Sequence, residues 1–431
     1  MRIDIGNVLL NATNPSLSEE DLTTLDRHIT TAHERIVQGM ETDEYGYAAL
    51  DLPDTVNTNE INSVVNELPD PETVLVIGIG GSALGAATLT EGLETETDVI
   101  VLDNIDPEYF NDLLETVSLR HTVVNVVSRS GTTTETLANF LSVRAAMENE
   151  NIDWTDRTVI TTGETGPLAD IAKQYNVPTL DVPPKTPGRF SVISTVGLTP
   201  AALAGIDIEA IITGAKYERA ELTGSLYDCP GYAYGAIAYG LDNRGATMNA
   251  FMPYAEYLKR SAEWFAQLWA ESLGKDQSGQ TPLRALGVTD QHSQLQLYRD
   301  GPRNKMVTFC RLRNSEEKTI PTFDIGNIDY LENCSLNELR YAQLRATEAS
   351  LAEADVPNVR LELEKRSPTE LGKLLYTLEV ACVLAGELYE IDTFTQPAVE
   401  WGKQATKELL RDEQTDKTAK INDKLTFEIE S

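Results

Sequence analysis

Short apolar runs punctuate the first half of the chain: "TVLVIGI" from Thr73, "DVIVLD" from Asp98, "TVVNVVS" from Thr122 and "TVITTG" from Thr158. Between them lie segments of helical period, among them Pro107–Thr116 and Glu135–Met147. Unbroken apolar runs suit strands buried on both faces, and strands alternating with helices indicate a parallel sheet. We therefore expect a first α/β unit over residues 66–225. A second, over 226–431, offers the strands "ATMNAFMP", "KMVTFCR" and "VRLELE" with long helices around them. Its best-marked helix opens at Ser367, where Ser367, Pro368 and Glu370 take the N-cap, first-turn and capping-box positions. Residues 1–65 are polar and acidic, carry one expected helix from Ser18 to Met40, and read as a helical arm without chemistry of its own. The charged end from Gln404 reads as a helix and tail.

At 431 residues, with 41% apolar and 24% charged positions, the chain is long enough for two or three ordinary globular domains. The charge balance narrows the field. Against 68 Asp and Glu stand 35 Lys and Arg, only 14 of them Lys, for a net charge of −33 spread along the chain. That excess argues against nucleic-acid binding. It matches the surfaces of proteins from salt-loving organisms, where carboxylate repulsion needs strong screening. Cys229, Cys310, Cys334 and Cys382 are scattered, with no spacing that suggests a zinc site or a disulfide framework. Apolar runs all fall short of a membrane span, so we expect a cytoplasmic protein with no membrane partner.

Two turns carry candidate chemistry. In "VIGIGGSALG" a strand ends at Ile77, Gly78, Gly80 and Gly81 allow tight backbone, and Ser82 is placed to cap the following helix, whose N-terminus can hold an anion. A dinucleotide fingerprint needs glycine where Ala83 stands, although Asp103 lies where a ribose-binding acid could sit; a nucleoside triphosphate loop lacks its lysine. A purely structural turn stays open. The second turn, "VVSRSGTTTET", supplies Ser128, Arg129, Ser130, Gly131, Thr132 and Thr133, with capping-box spacing between Thr132 and Glu135. Hydroxyls, amides and one guanidinium suit a phosphate monoester. Capping alone also accounts for such a turn, but two alike in one sheet favour a shared phosphate.

The segments "GIGGSALG", "SRSGTTTET", "PGRFSVISTVGL", "ESLGK", "TDQHSQLQ" and "FTQPAVEWGK" follow in that order from Ile77 to Lys403. In this the chain resembles the glucose-6-phosphate isomerase family, in its bacterial-type branch. The resemblance implies two sugar-isomerase (SIS-type) α/β domains, each a mainly parallel sheet flanked by helices, and no cofactor or metal. It implies that Ser82, Ser128, Arg129, Ser130, Thr133 and Gln396 bind the sugar phosphate, with the backbone of Gly80 and Gly81 in the phosphate loop. Glu271 would be the general base, Arg189 the cation beside an enediolate, and His292 with Lys403 the ring-opening pair. A homodimer would share its sites, His292 entering the partner's. Arg129 stands where most relatives have lysine, Pro187 and Ala398 where they have glycine.

Each role has a physical reason. Glu271 falls in the last turn of a helix that Gly274 ends, where the negative helix end and nearby Trp264 and Trp269 would favour a protonatable carboxyl. One carboxylate on one face can take a proton from C2 and return it at C1. Arg189 stays charged and stabilises the enediolate; His292 exchanges protons near neutrality. His28, His33 and His121 read as structural or exposed. In so acidic a chain Arg129, Arg189 and Lys403 must supply local positive potential. We expect reversible isomerisation of glucose 6-phosphate and fructose 6-phosphate, in glycolysis or gluconeogenesis. The rivals are a dual phosphoglucose/phosphomannose isomerase, a non-catalytic sugar-phosphate-binding regulator and a dinucleotide oxidoreductase.

Overall fold

A computed structural model of the chain describes residues 1–9, 12–321, 326 and 328–429. They form two compact units, Met1–Thr393 and Phe394–Ser431. Among the described residues the larger holds ten strands: β1 (Arg2–Asp4), β2 (Thr73–Ile77), β3 (Asp98–Leu102), β4 (Thr122–Ser128), β5 (Thr158–Thr162), β6 (Thr179–Asp181), β7 (Met248–Pro253), β8 (Thr281–Arg284), β9 (Lys305–Leu312) and β10 (Asn358–Leu363). The first sheet is parallel throughout, in the order β3-β2-β4-β5-β6. The second runs β1-β10-β9-β7-β8, parallel except for β1, which pairs antiparallel with β10.

The apolar runs became β2 to β5, with β2, β4 and β5 inside the sheet and β3 at its edge. Every residue of β4 and β5 is buried, and Leu75, Ile77, Val124, Val126 and Ile160 form one core with Phe140 and Trp154. Around the second sheet Met252, Val307 and Phe309 pack with Leu344 and Leu351. The expected helices are present as Glu19–Glu41, Pro107–Thr116, Thr134–Asn149 and Pro368–Leu388. Ser18 caps the first in a full capping box. Ser367 caps the last by accepting from the Glu370 amide, but the Glu370 carboxylate turns to the Glu364 amide and to Lys373 instead of completing a box.

Three strands escape a reading by pattern. β1, β6 and β8 are three or four residues long, polar and partly exposed, so no apolar run marks them. β1 also revises the N-terminal arm, whose first residues belong to the second sheet. Among the described residues no helix is long and apolar enough to cross a membrane, and all four cysteines are free. In the smaller unit the helix Glu400–Leu410 is followed by Asp416–Asn422, capped by Thr415, and Glu408 accepts from Thr415 Oγ1 at 2.6 Å and pairs with Lys417 at 3.3 Å.

Candidate active site

In the first sheet β2 connects to β3 on one side, and the chain then crosses to β4 on the other. At such a switch point the carboxyl ends of the two strands leave a crevice, the usual ligand position of an open α/β sheet. Both candidate turns follow these two strands.

The glycine turn departs from its expected form. Gly80 takes φ +59° and opens a short 3-10 turn, Gly80–Ser82, so the helix Leu84–Gly92 starts one residue later with Ala83 at its N-cap. Ser82 therefore caps nothing. The helix packs on Lys259–Leu273, and Thr88 Oγ1 donates to the Arg260 carbonyl at 3.2 Å. A Cβ on Gly81 would lie 2.3 Å from the carbonyl carbon of Gly188, so this turn presses directly on the segment carrying Arg189.

In the second turn the N-cap of Thr134–Asn149 is Thr133, not Thr132, and it makes no capping bond. Its hydroxyl pairs with buried Ser128 Oγ at 2.9 Å, while Ser130 Oγ accepts from the Thr132 amide and hydroxyl at 3.2 and 3.0 Å. Gly131, at φ +62°, makes the bend. Arg129 donates from one nitrogen to Tyr45 Oη at 2.9 Å and to the Thr186 carbonyl at 3.0 Å. The turn is thereby tied to the segment that leads to Arg189, and Tyr45 gives the N-terminal arm a part in the site.

Lys259–Leu273 follows β7 and carries Glu271 in its last turn, with Gly274 at the C-cap. Its buried face includes Phe265 and Trp269, stacked at 5.1 Å, and Trp264. These rings serve the core, and the Glu271 carboxylate faces polar partners. Oε2 lies 3.4 Å from Arg189 Nη1, and Oε1 accepts from Gln267 Nε2 at 3.0 Å. The Glu271 side chain is 30% exposed and that of Arg189 1%, so the carboxylate can be reached while the guanidinium is held in place. Arg189 Nε donates to Ser272 Oγ at 2.7 Å and Nη2 to the Thr393 carbonyl at 2.6 Å. Burial pulls this guanidinium below its ordinary value, and the Glu271 charge opposes that pull.

Two further residues belong here. Gln267 lies one turn before Glu271, against Gly80, where a Cβ would sit 2.7 Å from its amide nitrogen. Lys275 Nζ donates to the carbonyls of Glu271 and Ser272 at 2.8 and 2.5 Å, which offsets the negative helix end. Burial first, and the Arg189 charge second, push the Lys275 ammonium down to about 8. The i−4 spacing of Gln267 was the available signal for the first; the lysine of "ESLGK" was in plain view.

Three expected residues remain: His292, Lys403 and Gln396. His292 is exposed at the end of the short turn Thr289–Gln291, and among the described residues no hydrogen bond joins it to Glu271 or Arg189. In the smaller unit Lys403 pairs with Glu400 at 2.9 Å, and Gln396 precedes the turn Pro397–Val399. Of the other histidines, His33 bonds Tyr232 Oη at 2.9 Å. Among the described residues no three His, Cys, Asp or Glu side chains gather as a cation site.

Two mainly parallel sheets with hydroxyl- and glycine-rich turns at a switch point, beside a carboxylate and an arginine, suit an isomerase of phosphorylated sugars. The phosphoglucose isomerase family matches residues 64–319. A probable glucose-6-phosphate isomerase of Haloquadratum walsbyi is 54% identical over 432 residues and covers 100% of both chains. A glucose-6-phosphate isomerase of Rubrobacter xylanophilus is 41% identical over 77% of this chain and 80% of its own. Among solved structures, a hypothetical protein of Thermus thermophilus superposes with TM-score 0.81 at 34% identity, covering 90% of this chain and 96% of its own. A glucose-6-phosphate isomerase of Chlamydia trachomatis shares the fold with TM-score 0.81 at 22% identity, over 94% and 89%. The chain belongs to the phosphoglucose isomerase family.

Proposed function

We propose that this chain interconverts glucose 6-phosphate and fructose 6-phosphate through a cis-enediol, with Glu271 as the base. The observation that carries the reading is the approach of the reachable Glu271 carboxylate to the buried Arg189 guanidinium at 3.4 Å. Glu271 takes the C2 proton of the open-chain aldose, and the bonding pair forms a C1–C2 double bond as charge develops on O1. Arg189, which stays protonated, stabilises that charge without competing as an acid. The O2 proton passes to O1, the C2 carbonyl forms, and Glu271 returns its proton to C1. Gln267 orients the carboxylate through Oε1.

The turns 78–85 and 128–134 hold the phosphate, through Ser82, Ser128, Arg129, Ser130 and Thr133 and the backbone of Gly80 and Gly81, and Gln396 is assigned to the phosphate by the family resemblance alone. His292 of the partner subunit and Lys403 move the proton that opens the ring. The working form is a cytoplasmic homodimer that needs no cofactor and binds neither nucleic acid nor membrane. The domain plan is two sugar-isomerase units over 66–225 and 226–431, each built around one sheet, preceded by an arm over 1–65 whose first strand, β1, joins the second sheet.

Glu271→Gln tests the assignment. Turnover of fructose 6-phosphate in molar KCl should fall by about 10²–10⁴-fold, the usual weight of a general base, with sugar-phosphate binding retained. Turnover near the wild-type rate in the folded variant would remove Glu271 from the proton transfer.

A further inference from the structure

The second sheet repeats the crossover of the first. β7 connects to β8 on one side, and the chain then crosses to β9 on the other, with β10 beyond it. The crevice corresponding to the one between the phosphate turns lies past the carboxyl ends of β7 and β9. A cavity of about 640 Å³ opens there, lined by Tyr257 from the segment after β7, Asn314 and Ser315 from the segment after β9, and Lys365 and Arg366 from the segment after β10.

The charge of this cavity runs against the rest of the chain. Its wall carries four cations, Lys318, Arg340, Lys365 and Arg366, and two carboxylates, Glu94 and Glu316, in a protein of net charge −33. Glu94 is engaged by Arg366 at 3.1 Å. Among the described residues Lys318, Lys365 and Arg340 have no carboxylate partner. The neighbouring Glu364 is taken by Arg313 at 3.1 Å and by Asn314 at 2.5 Å. Arg340 is held in place by Ser315 Oγ at 2.7 Å and Asn337 Oδ1 at 2.8 Å. Arg366 lies over the Tyr257 ring at 3.4 Å and donates to the Gly92 carbonyl at 3.0 Å. Two positioned guanidinium groups beside two exposed lysines make a receptor for an anion with several oxygens.

We propose that this cavity is a second binding site, separate from the catalytic one, for a phosphorylated small molecule held by Lys318, Arg340, Lys365 and Arg366. The part of the argument that compares the two crevices rests on the phosphate reading of the first-sheet turns; the charge and the cavity do not. Helix rise separates Lys259, two residues past the cavity-lining Tyr257, from Glu271 by roughly 18 Å, so occupants of the two sites do not collide.

The test is calorimetric titration of the full chain with pyrophosphate at fixed KCl, with the catalytic site filled by a saturating equilibrium mixture of glucose and fructose 6-phosphates. One pyrophosphate per chain is expected to bind. The double variant Lys318→Gln/Lys365→Gln, both exposed positions, should weaken that binding at least tenfold and leave kcat/KM for fructose 6-phosphate unchanged. Absence of binding in the wild type, or equal binding by the double variant, would overturn the site. Glu271→Gln reads the catalytic assignment separately, so the two can fail independently.

Discussion

Gly81 and Gly188 meet back to back, yet the structure assigns them opposite tolerances. A Cβ on Gly81 would sit 2.3 Å from Gly188 C, 2.4 Å from its oxygen and 2.6 Å from Arg189 N, all of them backbone atoms that cannot swing aside. A Cβ on Gly188 would find nothing nearer than Gly81 Cα at 3.9 Å. To accept alanine at 81, the Gly188–Arg189 segment must retreat by about 1 Å to reach ordinary contact at 3.4 Å. That retreat carries Arg189 away from Glu271. A misplacement of ~1 Å in a catalytic array costs on the order of 10²-fold, or about 2.7 kcal/mol of transition-state stabilisation. Overpacking itself costs about 1–3 kcal/mol of stability, small enough for a domain to stay folded. Gly81→Ala should therefore lose about 10²-fold in kcat/KM with its near-ultraviolet circular dichroism intact, and Gly188→Ala should stay within a few-fold of wild type. Steady-state turnover of fructose 6-phosphate reads both. Wild-type activity in Gly81→Ala, or equal damage in the two variants, would refute the account of how the turn positions Arg189.

Lys275 sets an alkaline limit. Its cation beside Glu271 is lost as pH rises through about 8, so kcat/KM should fall with a midpoint there, and Lys275→Arg should move that limb upward; an unmoved limb would assign it to another group. For stability the sign is opposite. The folded chain holds this proton less tightly than the unfolded one, so this group's contribution rises from pH 8 toward the ordinary lysine value of 10.5. Folded dimers of Glu271→Gln mixed with His292→Ala should recover about a quarter of wild-type activity after random subunit exchange, because half the dimers are hybrids with one intact site in two. No recovery despite exchange would count against a shared site. With a net charge of −33, the thermal midpoint should rise between dilute buffer and molar KCl as screening shortens to about 3 Å, and a flat response would contradict the screening argument.

β2, β4 and β5 were legible because strands buried on both faces must be apolar throughout, and β3, although an edge strand and only partly buried, was legible by its apolar run. β6, β8 and β1 were not, since edge strands of three or four residues are held by ladder bonds to neighbours and need no apolar signature. Glu271, Arg189 and the two turns were found through their motifs, and the structure brings those segments together. Local capping was harder to read. Ser82 and Thr132 have the right spacing for caps, but the φ +59° turn at Gly80 delays one helix, and Thr132 is bound to Ser130 in the other. Tyr45 could not be foreseen, because its link to Arg129 spans 84 residues and depends wholly on tertiary packing.

The place of β1 has a consequence for how the chain is made. Arg2 pairs with Glu362 and Asp4 with Arg360, so β1 cannot find its neighbour until some 356 further residues have been made. At ~5–20 residues per second that wait is roughly 20–70 s. During it the β2-to-β6 sheet can close, while β1 stays unpaired and β9, once made, still lacks β10, which leaves the second sheet an open edge that strands of other chains can join. Crowded synthesis is therefore the moment of greatest exposure to aggregation, and a factor that shields nascent chains would act on the second half of the molecule, not the first.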